Sequence, residues 1–194
     1  LHWWVLALQG APIDRQAPFQ KQTLRNRLVL SGPQGRHTLT FPVQRPEGDN
    51  RTVMLSGHQA PVHAWRTLKT NYGNSPFFHL LEDELRALWF GHLPTSDDHG
   101  KELNAWNYST IQWVCDLCGW PMPVDASTSP EIGTITWDLR IKSALRGDGW
   151  SFKRYPQSFE SQHGFVPGCS IIDALFVLGP SGLREGLFEL AAPQ

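Results

Sequence analysis

The chain has 194 residues, a mass of 21.9 kDa and a net charge of −1 at pH 7, a length that encloses a real core without disulfide or metal staples and sets the expectation of one domain over residues 1–194. A balance this neutral, with a pI near 6.8, argues against nucleic acid or an anionic membrane surface as the partner. Three cysteines cannot all pair within the chain, and no apolar run approaches the roughly 20 residues that span a bilayer, so a reducing cytoplasm with no membrane span is the expected setting.

The first residues, LHWWVLAL, lack the basic start and cleavage site of a signal peptide. His2 to Gln9 reads as an apolar helix and Ala11 to Asp14 as a short strand. Because the chain does not open on Met, an N-terminal element is expected to precede Leu1.

PFQKQTLRNRLVL, from Pro18 to Leu30, is the stretch with the most tension in it. Leu24, Leu28 and Leu30 share one face at period two, the pattern of a half-buried strand. Asn26 falls on the same face, where an amide must be satisfied by something, and Lys21, Arg25 and Arg27 line up opposite. Two readings stand. One is a solvated edge guarded by charge. The other is an anion site, in which the cationic heads converge on a phosphate or carboxylate while Gln20, Gln22 and Asn26 bond its polar groups. From Arg15 to Arg45 there are six Arg or Lys and no acidic residue, a local field that favours a small anionic ligand over a long polyanion.

RNRLVLSGPQGRHTLTFPV reads as a β-hairpin turned through Gly32, Pro33 and Gly35, and Thr52 to Leu55 as a further short strand. Val62 to Asn71 predicts a helix stopped by Gly73 in the left-handed position. Ser75 and Pro76 then serve as N-cap and first helical residue of a helix whose inward stripe is Phe77, Leu81, Leu85 and Leu88. A third helix spans Lys101 to Cys118, with Leu103, Trp106, Thr110, Trp113 and Leu117 on its apolar face.

Within it, CDLC at Cys115 to Cys118 has redox or zinc spacing but closes a helix rather than opening one and has no second ligand pair, so these are core or surface thiols. PMPVDASTSPE predicts a loop, GTITWDLR a strand whose Asp138 and Arg140 share a face as an ion pair, and GDGWSFKRYP an irregular segment. Short helices are expected at 157–163, 170–178 and 182–190, broken at GFVPG and GP. SIID at Ser170 to Asp173 has the form of a capping box. Early strands and later helices give an α/β or α+β fold, a small mixed sheet with a hairpin in the N-terminal half and a helix-rich C-terminal half.

The eight histidines carry no metal signature, and no metal site is expected; His63, His79 and His163 are the candidate general bases. Trp106 and Trp113 belong to the core stripe, while Trp3, Trp4 and Trp65 have no assigned place. Gly-rich phosphate loops and nucleophile elbows are absent from the sequence, which names no cofactor.

QKQTLRNR at Gln20 to Arg27, NYGNSPFF at Asn71 to Phe78 and HGFVPGCSIIDALFVLGP at His163 to Pro180 together resemble the WbqC-like family of bacterial proteins. The resemblance implies a cytoplasmic protein, many relatives being encoded in surface-polysaccharide (O-antigen) gene clusters, with glycine transfer suggested for some. It brings no established catalytic residues. The chain departs from the family pattern by lacking its opening strand with a Gln-Pro, and by reading His63-Ala64 where a Lys-His pair is expected.

Residue reading and resemblance coincide on Lys21, Arg25, Asn26 and Arg27 as the substrate-binding group, followed by Tyr72, Asp138 and Arg140, with His163 or His63 as the catalytic base. The expected partner is an anionic small molecule or sugar phosphate. The function expected is transfer of an acyl or aminoacyl group onto a nucleotide sugar or glycan precursor, the alternative being a non-catalytic protein that binds an anionic carbohydrate intermediate or a partner enzyme.

Overall fold

The structure is a computed structural model that describes residues 1–15, 18–19, 21, 23–44, 53–56, 59–92, 102–126 and 149–193. It joins helices to small antiparallel sheets, the fold class the sequence predicts. Helix α1 (His2–Leu8) turns His2, Trp4, Val5 and Ala7 inward. Strands β1 (Arg27–Gly32) and β2 (Gly35–Thr40) form the expected hairpin in a register running from Arg27 opposite Thr40 to Gly32 opposite Gly35. Gly35 takes the positive φ of 93° that closes its turn. Strands β3 (Val43–Gln44) and β4 (Met54–Leu55) make a second pair.

The strand predicted from Pro18 begins only at Arg27. Thr23 to Asn26 bend and turn instead, the Arg27 amide closing back on the Leu24 carbonyl at 3.1 Å. The physical reason is Asn26, a turn-forming residue whose side-chain amide donates to the Phe41 carbonyl at 2.8 Å while its own carbonyl accepts from Phe41 N. With Val29, Leu30, Ser31 and Gly32 all buried, β1 is a core strand rather than a charged edge.

Helix α2 (Gln59–Tyr72) ends at Gly73 as expected, though Gly73 is not left-handed. A Cβ there would stand 2.6 Å from the Lys69 carbonyl oxygen, so the missing side chain is what lets the chain turn. Ser75 does not cap with its hydroxyl, which pairs with Ser158 at 3.1 Å. Helix α3 (Phe78–His92) buries Phe78, Leu81, Leu85 and Trp89, a stripe offset by one residue at both ends from the predicted one. Helix α4 (Leu103–Cys118) buries Leu103, Trp106, Val114, Cys115 and Cys118 and stops at left-handed Gly119. Trp65 is placed in the core, tilted against Trp89. GTITWDLR lies outside the described residues.

Strand β5 (Trp150–Phe152) occupies the segment predicted to be irregular, and helix α5 (Glu160–His163) follows. Strand β5 pairs with β6 (Ala191–Pro193), a partner about 40 residues away that local pattern cannot reveal. Helix α6 (Ile171–Leu190) is broken at Gly179 (φ 71°, ψ 174°) just before Pro180, matching the two helices expected there. A Cβ on Gly179 would meet the Phe77 ring at 2.5 Å. Gly179→Ala is therefore expected to destabilise the fold by about 2–4 kcal/mol, from the left-handed backbone and the clash together, read as a lower urea midpoint. One apolar core links Leu1 to Ala191 through Tyr72, Phe78, Leu175, Phe176, Leu183 and Leu187. Among the described residues no helix is long and apolar enough to cross a membrane.

Candidate functional site

A cavity of about 230 Å³ opens between α1, the turn into β1, α3, α4 and the segment Gly168–Ile172. Aromatic and aliphatic residues make most of its wall, with Trp4 from α1, Phe41, Trp89 from α3, and Trp106, Ile111 and Trp113 from α4. Arg25 and Arg27 reach the same wall because Thr23 to Asn26 turn rather than extend. Asn107 Nδ2 donates to the Arg25 carbonyl at 3.0 Å and pins that turn onto α4.

The two guanidiniums differ in what they touch. Arg25 donates from Nη1 to the Pro18 carbonyl at 3.1 Å. Arg27 is half-buried, its Nε has no acceptor, and no described carboxylate pairs with it. The indole N–H of Trp106 and both ring nitrogens of His2, on residues that also line the cavity, are buried without partners. Burial is the main cause that pushes the His2 pKa down to about 3, which keeps the ring neutral at pH 7.

Behind the cavity the segment 163–173 runs along the side of β1 that β2 leaves open. Ser170 gives its amide to the Val29 carbonyl at 2.7 Å and accepts the Val29 amide on Oγ at 2.9 Å. Its hydroxyl therefore does not cap α6, which corrects the capping-box reading of SIID. Asp173 faces inward and is fully buried. Its Oδ2 accepts from Tyr72 OH at 2.5 Å and Ser31 N at 3.2 Å, and its Oδ1 from Tyr155 OH at 2.6 Å and Gln157 Nε2 at 3.1 Å. Four donors surround one carboxylate, as a buried acidic group with no ion pair among the described residues demands. Desolvation first, and the Asp173 charge second, push both phenols well above the ordinary tyrosine range.

Of the residues singled out in the sequence, the structure brings Arg25 and Arg27 together at the cavity. Lys21 is exposed and does not line it. Asn26 is turned to Phe41 and Tyr72 to Asp173. His63 is exposed on α2. His163 is half-buried with Nε2 2.7 Å from the Gly32 carbonyl and Nδ1 2.9 Å from that of Gly164. Asp138, Arg140, Gln20 and Gln22 lie outside the described residues. Reading by pattern passed over His2, Asn107 and Asp173. For Asp173 the signal was present, a lone carboxylate in the apolar run SIIDALF, and the capping form absorbed it.

Cys115, Cys118 and Cys169 are free and buried. Burial is the leading cause that raises their thiols to about 11, 11 and 12 in that order. At pH 8 a disulfide-exchange dye is expected to label none of the three within minutes in the native protein and all three in guanidinium, counted by absorbance.

A family model described as the WbqC-like protein family matches residues 14–151. No curated protein and no solved structure matches the chain.

Proposed function

The chain belongs to the WbqC-like protein family, and from that premise we propose that it is a cytoplasmic transferase of surface-polysaccharide (O-antigen) biosynthesis. It moves an acyl or aminoacyl group onto a nucleotide sugar or glycan precursor, residues 1–194 acting as one domain. One observation carries this reading. The Arg27 guanidinium stands half-buried at an apolar cavity with no counter-charge among the described residues, and such a cation is costly unless an anion completes it.

In this reading Arg25 and Arg27 hold the anionic ligand, and Asn26 and, through Asp173, Tyr72 fix the backbone that presents them. Lys21 serves the part of the ligand outside the cavity, Asp138 and Arg140 are further ligand-binding groups, and His163 or His63 takes the acceptor's proton. A second reading, a binding protein without turnover, is favoured by the placement of those bases. Neither histidine lines the cavity, and both ring nitrogens of His163 already face carbonyl oxygens.

Incubation with acyl and glycyl donors and nucleotide sugars, followed by mass spectrometry, separates the two. A new acylated sugar supports transfer. Salt-sensitive thermal stabilisation by an anionic ligand, with no product in any mixture, supports binding alone and removes the transferase.

A further inference from the structure

The cavity's own chemistry narrows what can enter it. At about 230 Å³ it lies below the ~300–1,000 Å³ of pockets that enclose drug-sized ligands. One ring or a short branched chain is enclosed; a nucleotide sugar would project beyond the mouth.

Apart from Arg27, the Trp106 indole N–H and the His2 ring, the polar groups on the wall are mostly engaged already. Asn107 donates to the Arg25 carbonyl, Thr110 Oγ1 to the Asn107 carbonyl at 2.7 Å, Ser170 Oγ accepts from Val29, and Arg25 reaches Pro18. A pyranose would carry several hydroxyls into this space with few partners to meet them, and each unmet one costs about 1–3 kcal/mol. The faces that remain are indole, phenyl and aliphatic, which suit a flat or branched hydrocarbon.

Charge is equally restricted. Arg27 offers one positive charge that no described carboxylate meets, and a carboxylate balances it. A phosphate monoester brings about −1.5 to −2 and would need the Arg25 guanidinium to leave Pro18 and turn to it as well. Free glycine is disfavoured from the other side, since its ammonium would be drawn into the same wall beside Arg27.

We infer that the cavity is a subsite for a small organic carboxylate with a flat or branched apolar body, held by Arg27, and that sugar and phosphate remain outside it. This rests on the anion-holding reading above and names the chemistry of the ligand's anionic end.

The test is titration of the whole chain with benzoate, isovalerate, glycine, glucose 1-phosphate, UDP-glucose and the neutral isostere benzyl alcohol, read by thermal shift and by tryptophan fluorescence. Wild type is compared with Arg27→Gln and Arg27→Lys, each first checked for a native melting curve. Benzoate or isovalerate is expected to bind saturably and to quench fluorescence. Arg27→Gln weakens that binding at least tenfold, Arg27→Lys weakens it less, and benzyl alcohol does not distinguish the variants. Arg27-dependent binding of glucose 1-phosphate or UDP-glucose without the carboxylates overturns the inference and leaves the anion reading standing. Carboxylate binding indifferent to Arg27, or no Arg27-dependent binding by any probe, overturns both.

Discussion

Replacing Asp173 by alanine is expected to remove about 4 kcal/mol or more of folding stability, a large share of the ~5–15 kcal/mol that holds a domain of this kind together. The carboxylate accepts from Tyr72, Tyr155, Gln157 and the Ser31 amide, and deleting it leaves four buried donors at about 1–3 kcal/mol each. Water entering the new void recovers part of the loss, which is why the sum is not reached. Asp173→Asn keeps the volume and one acceptor but points an amide N–H at a donor, so a smaller loss of about 2 kcal/mol is expected. Urea unfolding followed by tryptophan fluorescence measures both. If Asp173→Ala unfolds within 1 kcal/mol of wild type, the four-donor arrangement is not what ties β1, α2, the 155–157 segment and α6 together.

Arg27→Ala is expected to act in the opposite way. A half-buried guanidinium with no counter-charge among the described residues contributes nothing favourable to the empty protein beyond the packing of its stem, and removing it relieves desolvation, so the melting temperature should stay level or rise. Turnover, or binding if there is no turnover, should fall about 100-fold, the ~2–3 kcal/mol of a charge-assisted pair in a desolvated site. Stability that holds while function falls separates a ligand-holding arginine from a structural one. Arg25→Ala should fall less far, because that guanidinium already leans on Pro18 and the backbone carbonyl that Asn107 grips is untouched.

What was readable in the sequence followed the range of each signal. The hairpin, the helices and the break at Gly179-Pro180 came from turn residues and periodicity acting within a few positions. β5 escaped because the partner it has among the described residues is the last three of them. Arg25 and Arg27 were legible as a pair, but for a reason that did not survive. Alternation placed them on one face of a strand, whereas the turn closed by Asn26 is what delivers them to the cavity. Asp173 shows the converse. A capping box and an inward carboxylate share one spelling, and the choice between them depends on Ser31, Tyr72 and Tyr155, which a window of four residues cannot contain.

The segment from His163 to Asp173 has a further consequence for the molecule's behaviour in a crowded solution. On the flank of β1 away from its hairpin partner, the Val29 amide and carbonyl are taken by Ser170, the Ser31 amide by Asp173, and the Ser31 carbonyl by Asn71. Side chains and one stray loop thus occupy the docking points that another polypeptide would need for strand addition. Unzipping that loop would bare RLVLSG as a template for self-association, so clumping should track the loosening of this seam more closely than complete melting.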